Sequence, residues 1–408
     1  MTQQHRLQLG RRTARGSLFI FSALLSLCFL IITFIATNGR ISFGGEKAKL
    51  QWFEILSQWN EKEKENEWTD SVLLIDTHYD KQMVLEKDND GNPIGMVAAT
   101  DKQKLKKLLE YLYTTNNYRY IILDIFLDQS ISQPEDSSLY ALIATMPRIV
   151  IPIPENSQLG NSRLESKAGS ASYGTAIWEN DFVKYPFITD GKESMALKMY
   201  RELTGRTITK HGLLYTDNWP ARHSAILTYE LRETEELSEQ KLYLGWIVGD
   251  TIGGEIYPSM LEVPNLADKK YVLIGDYEDD RHNTYIGEMS GALINFNAYL
   301  TLLYGHHRIS LWMFVFLWGA FFILIWLTIR HTTFSRIFMW LGSPFYLTLT
   351  CLVCYRFFHE VYDILIATSL FYLLETTMEC INNRQVIYKK INIIWQQIKL
   401  WERRFILK

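Results

Sequence analysis

Residues 100–126 read TDKQKLKKLLEYLYTTNNYRYIILDIF. The second half, Tyr120-Ile121-Ile122-Leu123-Asp124-Ile125-Phe126, is a continuous apolar run around one carboxylate. Continuous rather than alternating apolar character is what a strand covered on both faces requires, and such strands belong to parallel sheets. The first half has helical spacing: Leu105, Leu108, Leu109 and Leu112 form one stripe, with Lys102, Lys104, Lys106 and Lys107 mostly outside it. Thr100, followed three residues later by Gln103, has the spacing of a capping box and is the expected helix cap. Upstream, Val72-Leu73-Leu74-Ile75-Asp76 repeats the strand pattern, so the passage is a β-α-β unit.

The pattern continues outward. Strands are expected at 148–153, 224–229, 242–248 and 271–275, and helices at 135–144, 193–203 and 290–304. Strands alternating with helices define an α/β domain with a mainly parallel sheet. A further helix is expected early in 46–68, where Leu50, Phe53, Leu56 and Trp59 recur every three residues.

This domain is flanked by apolar segments. The mean hydropathy of −0.07 looks ordinary for a globular chain, but four runs of about 20 residues are each long enough to cross a bilayer as helix. The expected layout is a basic cytoplasmic N-terminus over 1–16, spans over 17–37, 309–329, 337–355 and 361–381, an exported domain over 38–308, and a basic amphipathic tail helix over 382–408. The first span is longer than a signal-peptide core and lacks a small-x-small cleavage pattern, so it reads as an uncleaved anchor. Charge fixes the orientation. Residues 38–308 carry 28 Lys and Arg against 40 Asp and Glu, while the termini and the 330–336 loop carry 13 basic residues against Glu402 alone. By the positive-inside rule both termini are cytoplasmic and the acidic domain is outside. That acidic balance also excludes a nucleic-acid partner, which would select a cationic surface.

All four cysteines, Cys28, Cys351, Cys354 and Cys380, fall in or beside the apolar segments, so the exported domain has no disulfide. Cys351-x-x-Cys354 has a redox or zinc spacing but no polar partner nearby, which makes these packing residues. There is no Gly-x-Ser-x-Gly elbow, no Walker A sequence and no His-x-x-x-His pair; His211, His223 and His282 are widely separated. Glu86-x-Asp88-x-Asp90-Gly91 opens like an EF-hand loop but has Val97 at the bidentate position, so it reads as a hairpin turn on Asp90-Gly91-Asn92-Pro93. No catalytic residue, metal or cofactor is expected.

The residues that remain are carboxylates at strand ends. Asp76, Asp124 and Asp276 lie in or just after parallel strands, and Asp279 and Asp280 extend the last into an acidic run. Ligands of open α/β sheets bind beyond the carboxyl ends of strands, so these five are candidate ligand-binding residues for a cation or a hydroxylated small molecule. Strand-end carboxylates also cap neighbouring helices, and acidic runs also form solvated loops; all these readings stay open. In the last apolar segment Glu375 and Glu379 share a helix face, which makes them candidates for contact with a partner or with interfacial water. The tail repeats Ile387, Ile391, Ile394, Ile398, Trp401 and Phe405 at heptad spacing. Ile391, Ile394, Ile398 and Trp401 are its candidate contacts, with a second copy as homodimer, with a cytoplasmic effector, or with anionic lipid.

The strands Val72–Asp76 and Val272–Gly275, the passage Leu123-Asp124-Ile125-Phe126-Leu127, and Met289-Ser290-Gly291-Ala292-Leu293-Ile294-Asn295-Phe296-Asn297-Ala298 together resemble the CHASE type-2 domain. This is a sensory module outside the bacterial inner membrane, typically followed by three spans. Gly291, Asn297 and Ala298 match its final-helix motif, whereas Ser290 stands for the usual proline and Asn295 for the usual histidine. The resemblance adds Asn297 to the candidate ligand-binding residues. It implies a sensor of a kind that usually drives a linked kinase, cyclase or protease-like effector. Because no effector domain fits in the tail, the expected function is a non-enzymatic sensor that binds a small ligand or an envelope protein outside and signals to a separate cytoplasmic or membrane effector. The alternative is a structural or docking subunit of an envelope complex.

Overall fold

The computed structural model describes residues 3–37, 46–58, 67–87, 92–127, 133–153, 162–170, 181–212, 214–249, 251–252, 255–256, 259–260, 266–329, 342–362 and 364–382. The chain divides into two compact bodies, one of the terminal segments, the other Arg40–Ile309.

Arg40–Ile309 is built on six parallel strands: β1 Val72–Asp76, β2 Tyr120–Asp124, β3 Ile149–Ile153, β4 Ala168–Ser170, β5 Leu242–Tyr243 and β6 Tyr271–Gly275. They lie in the order β5-β1-β6-β2-β3-β4. The last long strand is therefore inserted between the two strands of the opening β-α-β unit. Alternation along each strand separates two cores. Leu73, Ile75, Ile121, Leu123, Val272 and Ile274 face one side, where they pack with Leu105, Leu108, Leu109 and Leu112 of a helix over Lys102–Thr115. Tyr120, Tyr271 and Leu273 face the other side, which is covered by helices Met195–Thr204 and Gly291–Leu303. Both faces are dry, which is why the strands are continuously apolar.

Several local expectations are corrected. The Lys102–Thr115 helix is capped by Asp101, not Thr100: the Asp101 carboxylate accepts from the Gln103 and Lys104 N–H groups at 2.9 and 3.1 Å. Lys102 is not on the wet side but buried, paired with Asp136. The expected strand over 242–248 lasts only for Leu242–Tyr243 and then becomes the helix Leu244–Val248. Ser224–Ile226 is a strand outside the main sheet, antiparallel to Lys184–Pro186. The hairpin is present as Lys81–Lys87 against Pro93–Thr100; residues 88–91 of its turn lie outside the described residues.

In the other body, among the described residues, two helices are long and apolar enough to cross a membrane, Gly16–Ile35 and Leu311–Ile329. They pack through Phe19 on Phe322 with ring centroids 5.1 Å apart, and Trp318 Nε1 donates to the Ala23 carbonyl. The segments expected to span over 337–355 and 361–381 form helices Ser343–Phe358 and Ile364–Asn382. The expected tail helix with Ile391, Ile394, Ile398 and Trp401 lies outside the described residues.

Candidate functional site

Register puts the strand-end carboxylates in one row: Asp76 pairs with Gly275, and Gly275 with Asp124. Two residues paired across a parallel ladder point to the same face, so both carboxylates flank the side-chain-free Gly275. The helix Gly291–Leu303 starts above this row and runs back along the sheet. Ala292 sits over Gly275, where an added Cβ would come within 3.2 Å of its methyl. Farther along, Tyr299 and Tyr271 meet hydroxyl to hydroxyl at 3.1 Å at the opposite end of the strand. The helix therefore runs along the central strands from their carboxyl ends to their amino ends.

The five candidate aspartates fall into two groups. The first is electrically compensated. Asp76 is wholly buried; its Oδ1 accepts from the His78 and Tyr277 N–H groups at 3.0 and 3.2 Å, and its Oδ2 lies 3.2 Å from Lys241 Nζ. Lys241 also pairs with Glu278 at 2.9 Å. Asp276 accepts from the Glu278 and Asp279 N–H groups at 3.0 and 2.8 Å, closing a turn in the acidic run. Lys81 Nζ stands 2.6 Å from both Asp276 Oδ2 and Asp279 Oδ2. Burial alone would raise the Asp276 carboxyl, but the backbone of Asp279 and the Lys81 ammonium outweigh it and hold it below the usual carboxylate range. His78 Nδ1 lies 3.3 Å from Asp276 and 3.4 Å from Asp279, which completes a three-ligand arrangement suited to a metal. The Lys81 ammonium, in contact with both carboxylates, already supplies the positive charge there.

The second group is not compensated in this way. Burial and the nearby Asp280 carboxylate push Asp124 up to about 7. Its Oδ2 accepts one hydrogen bond, from Asn295 Nδ2 at 3.2 Å, and Asn295 Oδ1 in turn accepts from the Tyr185 hydroxyl at 2.6 Å. Asp280 pairs with His282 Nε2 at 2.9 Å. That hydrogen bond to Asp280 raises the His282 imidazole above its ordinary value. Both carboxylates press on Gly291: a Cβ there would lie 2.4 Å from Asp280 Oδ2 and 2.7 Å from Asp124 Oδ2. A side chain at this position would force one or both carboxylates to move.

Asn297 is not brought to either group. It is wholly buried, its Oδ1 accepts from the Leu231 N–H, and its Nδ2 donates to the Leu231 and Leu293 carbonyls. Its amide holds a loop to the final helix. Glu375 is half-buried in its helix, and the Glu379 side chain lies outside the described residues.

Residues absent from the expected set are Lys81, Lys241, His78, His282 and Asn295. Charge pairing across long sequence gaps leaves no local pattern, so the lysines and histidines carried no signal. Asn295 did carry one, as the position where the resembling family has histidine, and it is the residue that touches Asp124.

A family model described as the CHASE2 domain matches residues 28–331. No curated protein and no solved structure matches the chain.

Proposed function

From the premise that the chain belongs to the CHASE2 domain family, a family of extracellular sensory domains, we propose that it senses through Asp124. In this reading a small cationic or hydroxylated ligand, or a proton, changes the charge at the Asp124–Asp280 pair. The final helix carries that change toward the second apolar segment, and a separate effector reads it inside the cell. The observation that supports it is the Asn295–Asp124 hydrogen bond at 3.2 Å, which ties a carboxylate shifted to about 7 to that helix. The helix leads through residues 304–310 into Leu311–Ile329. A 13-residue helix covers about 20 Å, so a displacement at Gly291 is delivered at the amino ends of the central strands.

The test is a melting series on the full-length protein in nanodiscs across cations, nucleotides, sugars and peptidoglycan fragments. A native-state binder raises the melting temperature by mass action. The expected result is a shift with one class of compound that Asp124→Asn abolishes; a shift indifferent to Asp124→Asn moves the site elsewhere.

One observation favours the docking-subunit reading. The hairpin exposes Met83, Leu85, Ile94 and Met96, at 60, 44, 61 and 61%. Register places these residues on one face. A two-stranded ribbon with an uncovered apolar face is marginal alone and gains by being covered. A flat melting panel together with loss of an envelope complex in Met83→Glu and Met96→Glu would establish docking instead.

A further inference from the structure

The last residues of the exported domain are gripped at a second buried charge. Asp217, 2% exposed, lies in the turn between the short strands Leu214–Thr216 and Pro220–Ala221. Its Oδ2 meets four donors: His307 Nε2 at 2.9 Å, Arg308 Nε at 3.2 Å, an Arg308 terminal nitrogen at 3.0 Å and the Tyr200 hydroxyl at 3.1 Å. The imidazole donates in the tautomer with its proton on Nε2. Burial pushes the Asp217 carboxyl up, but the hydrogen bonds from His307 and Arg308 outweigh this and hold it below the usual range. Backbone bonds close the same joint. The Arg222 N–H donates to the His307 carbonyl at 3.0 Å, the Ile309 N–H to the Pro220 carbonyl at 2.9 Å, and Trp219 Nε1 to the Ile309 carbonyl at 2.9 Å.

Three pieces of chain thus meet on one carboxylate oxygen: the 214–221 turn, the helix Met195–Thr204 through Tyr200, and the residues that follow the final helix. Helix Met195–Thr204 packs beside the final helix, so the joint is anchored to the same layer that carries Asn295. Buried charges are held by several partners at once, and removing the shared one releases them together. We propose that Asp217 is a latch that fixes residues 304–309 to the domain, and that opening it frees this segment while the sheet stays folded. Closed, the latch passes a shift of the final helix on to Ile309; open, it lets the segment absorb the shift. No ligand is needed for this, so the latch stands or falls separately from sensing at Asp124.

The test is amide hydrogen exchange on the full-length protein in nanodiscs. Asp217→Asn is expected to speed exchange at Arg222 and Ile309 by about tenfold, and Tyr200→Phe, which removes one neutral donor, by about threefold. Exchange in strands 72–76 and 120–124 should stay at its wild-type rate in both. Unchanged exchange at Arg222 and Ile309 overturns the proposal. So does an equal rise in the sheet strands, which makes Asp217 a general packing residue. If Asp217→Asn does not fold, Tyr200→Phe decides by the same two comparisons.

Discussion

Asp124 ends one strand of the sheet and Asp276 follows another, yet their surroundings shift them in opposite directions. Asp276 has two backbone N–H groups and an ammonium; Asp124 has one amide and a neighbouring carboxylate. The sign of the consequence follows from linkage. A carboxyl raised in the folded state from 3.8 to about 7 binds its proton more tightly folded than unfolded, so the fold loses stability as pH rises between those values. Asp124→Asn keeps an oxygen for Asn295 and removes the charge. The variant should therefore match wild type near pH 4 and exceed it at pH 8 by on the order of 4 kcal/mol. Melts at both pH values check this, and a variant less stable than wild type at pH 8 contradicts it. In the other group, Lys81→Ala removes the ammonium from between Asp276 and Asp279 and leaves His78 beside them. That variant is expected to gain affinity for divalent cations relative to wild type, read by calorimetric titration with Ca²⁺ and Zn²⁺; equal titrations in the two proteins refute it.

Among the elements, the helix over Lys102–Thr115 separates what spacing determines from what geometry determines. Its leucine stripe is legible because 3.6-residue periodicity is a property of the helix itself, and all four leucines are buried. Its cap is less legible, because Thr100 and Asp101 are both acceptable cap residues and only the chain's entry angle chooses between them. Since Asp101 makes the two capping bonds, Asp101→Ala should cost about 1 kcal/mol in a denaturant melt, and Thr100→Ala a few tenths. Equal costs would mean that the cap contributes little. The strand expected over 242–248 failed for a similar reason. Leu244, Ile247 and Val248 are buried, and a short buried apolar run fits strand or helix equally well. Packing against the Lys102–Thr115 helix decided for helix. In the other body, Ser22 and Ser26 are wholly buried, their hydroxyls bonded to the Leu18 and Ala23 carbonyls of their own helix. Small residues of this kind let neighbouring helices approach closely in lipid.

For the whole molecule, two apolar helices bracket the CHASE2 domain, and the four-span arrangement with both termini inside is a proposal with a direct test. In it, the turn after the Ser343–Phe358 helix is outside the membrane, and Phe357, 72% exposed, lies beside that turn. Phe357→Cys, in a chain whose native cysteines are replaced by alanine, should react with a membrane-impermeant thiol reagent on intact cells. Labelling only after lysis would leave two spans and a cytoplasmic remainder. The sequence by itself determined the parallel α/β domain and the apolar segments that flank it, because periodicity, apolar length and charge segregation are local or additive and need no knowledge of what lies opposite. It also marked the strand ends as the place to look, since strand-end position follows from strand assignment alone. Only the tertiary structure decided which carboxylates are neutralised and which are not. Lys81 and Lys241 reach Asp276 and Asp76 across the fold, and insertion of the last long strand between the first two sets Asp124 beside Asn295 and Gly291. The energy of a charge is set by neighbours within a few ångströms, and folding draws those neighbours from sequence positions far apart.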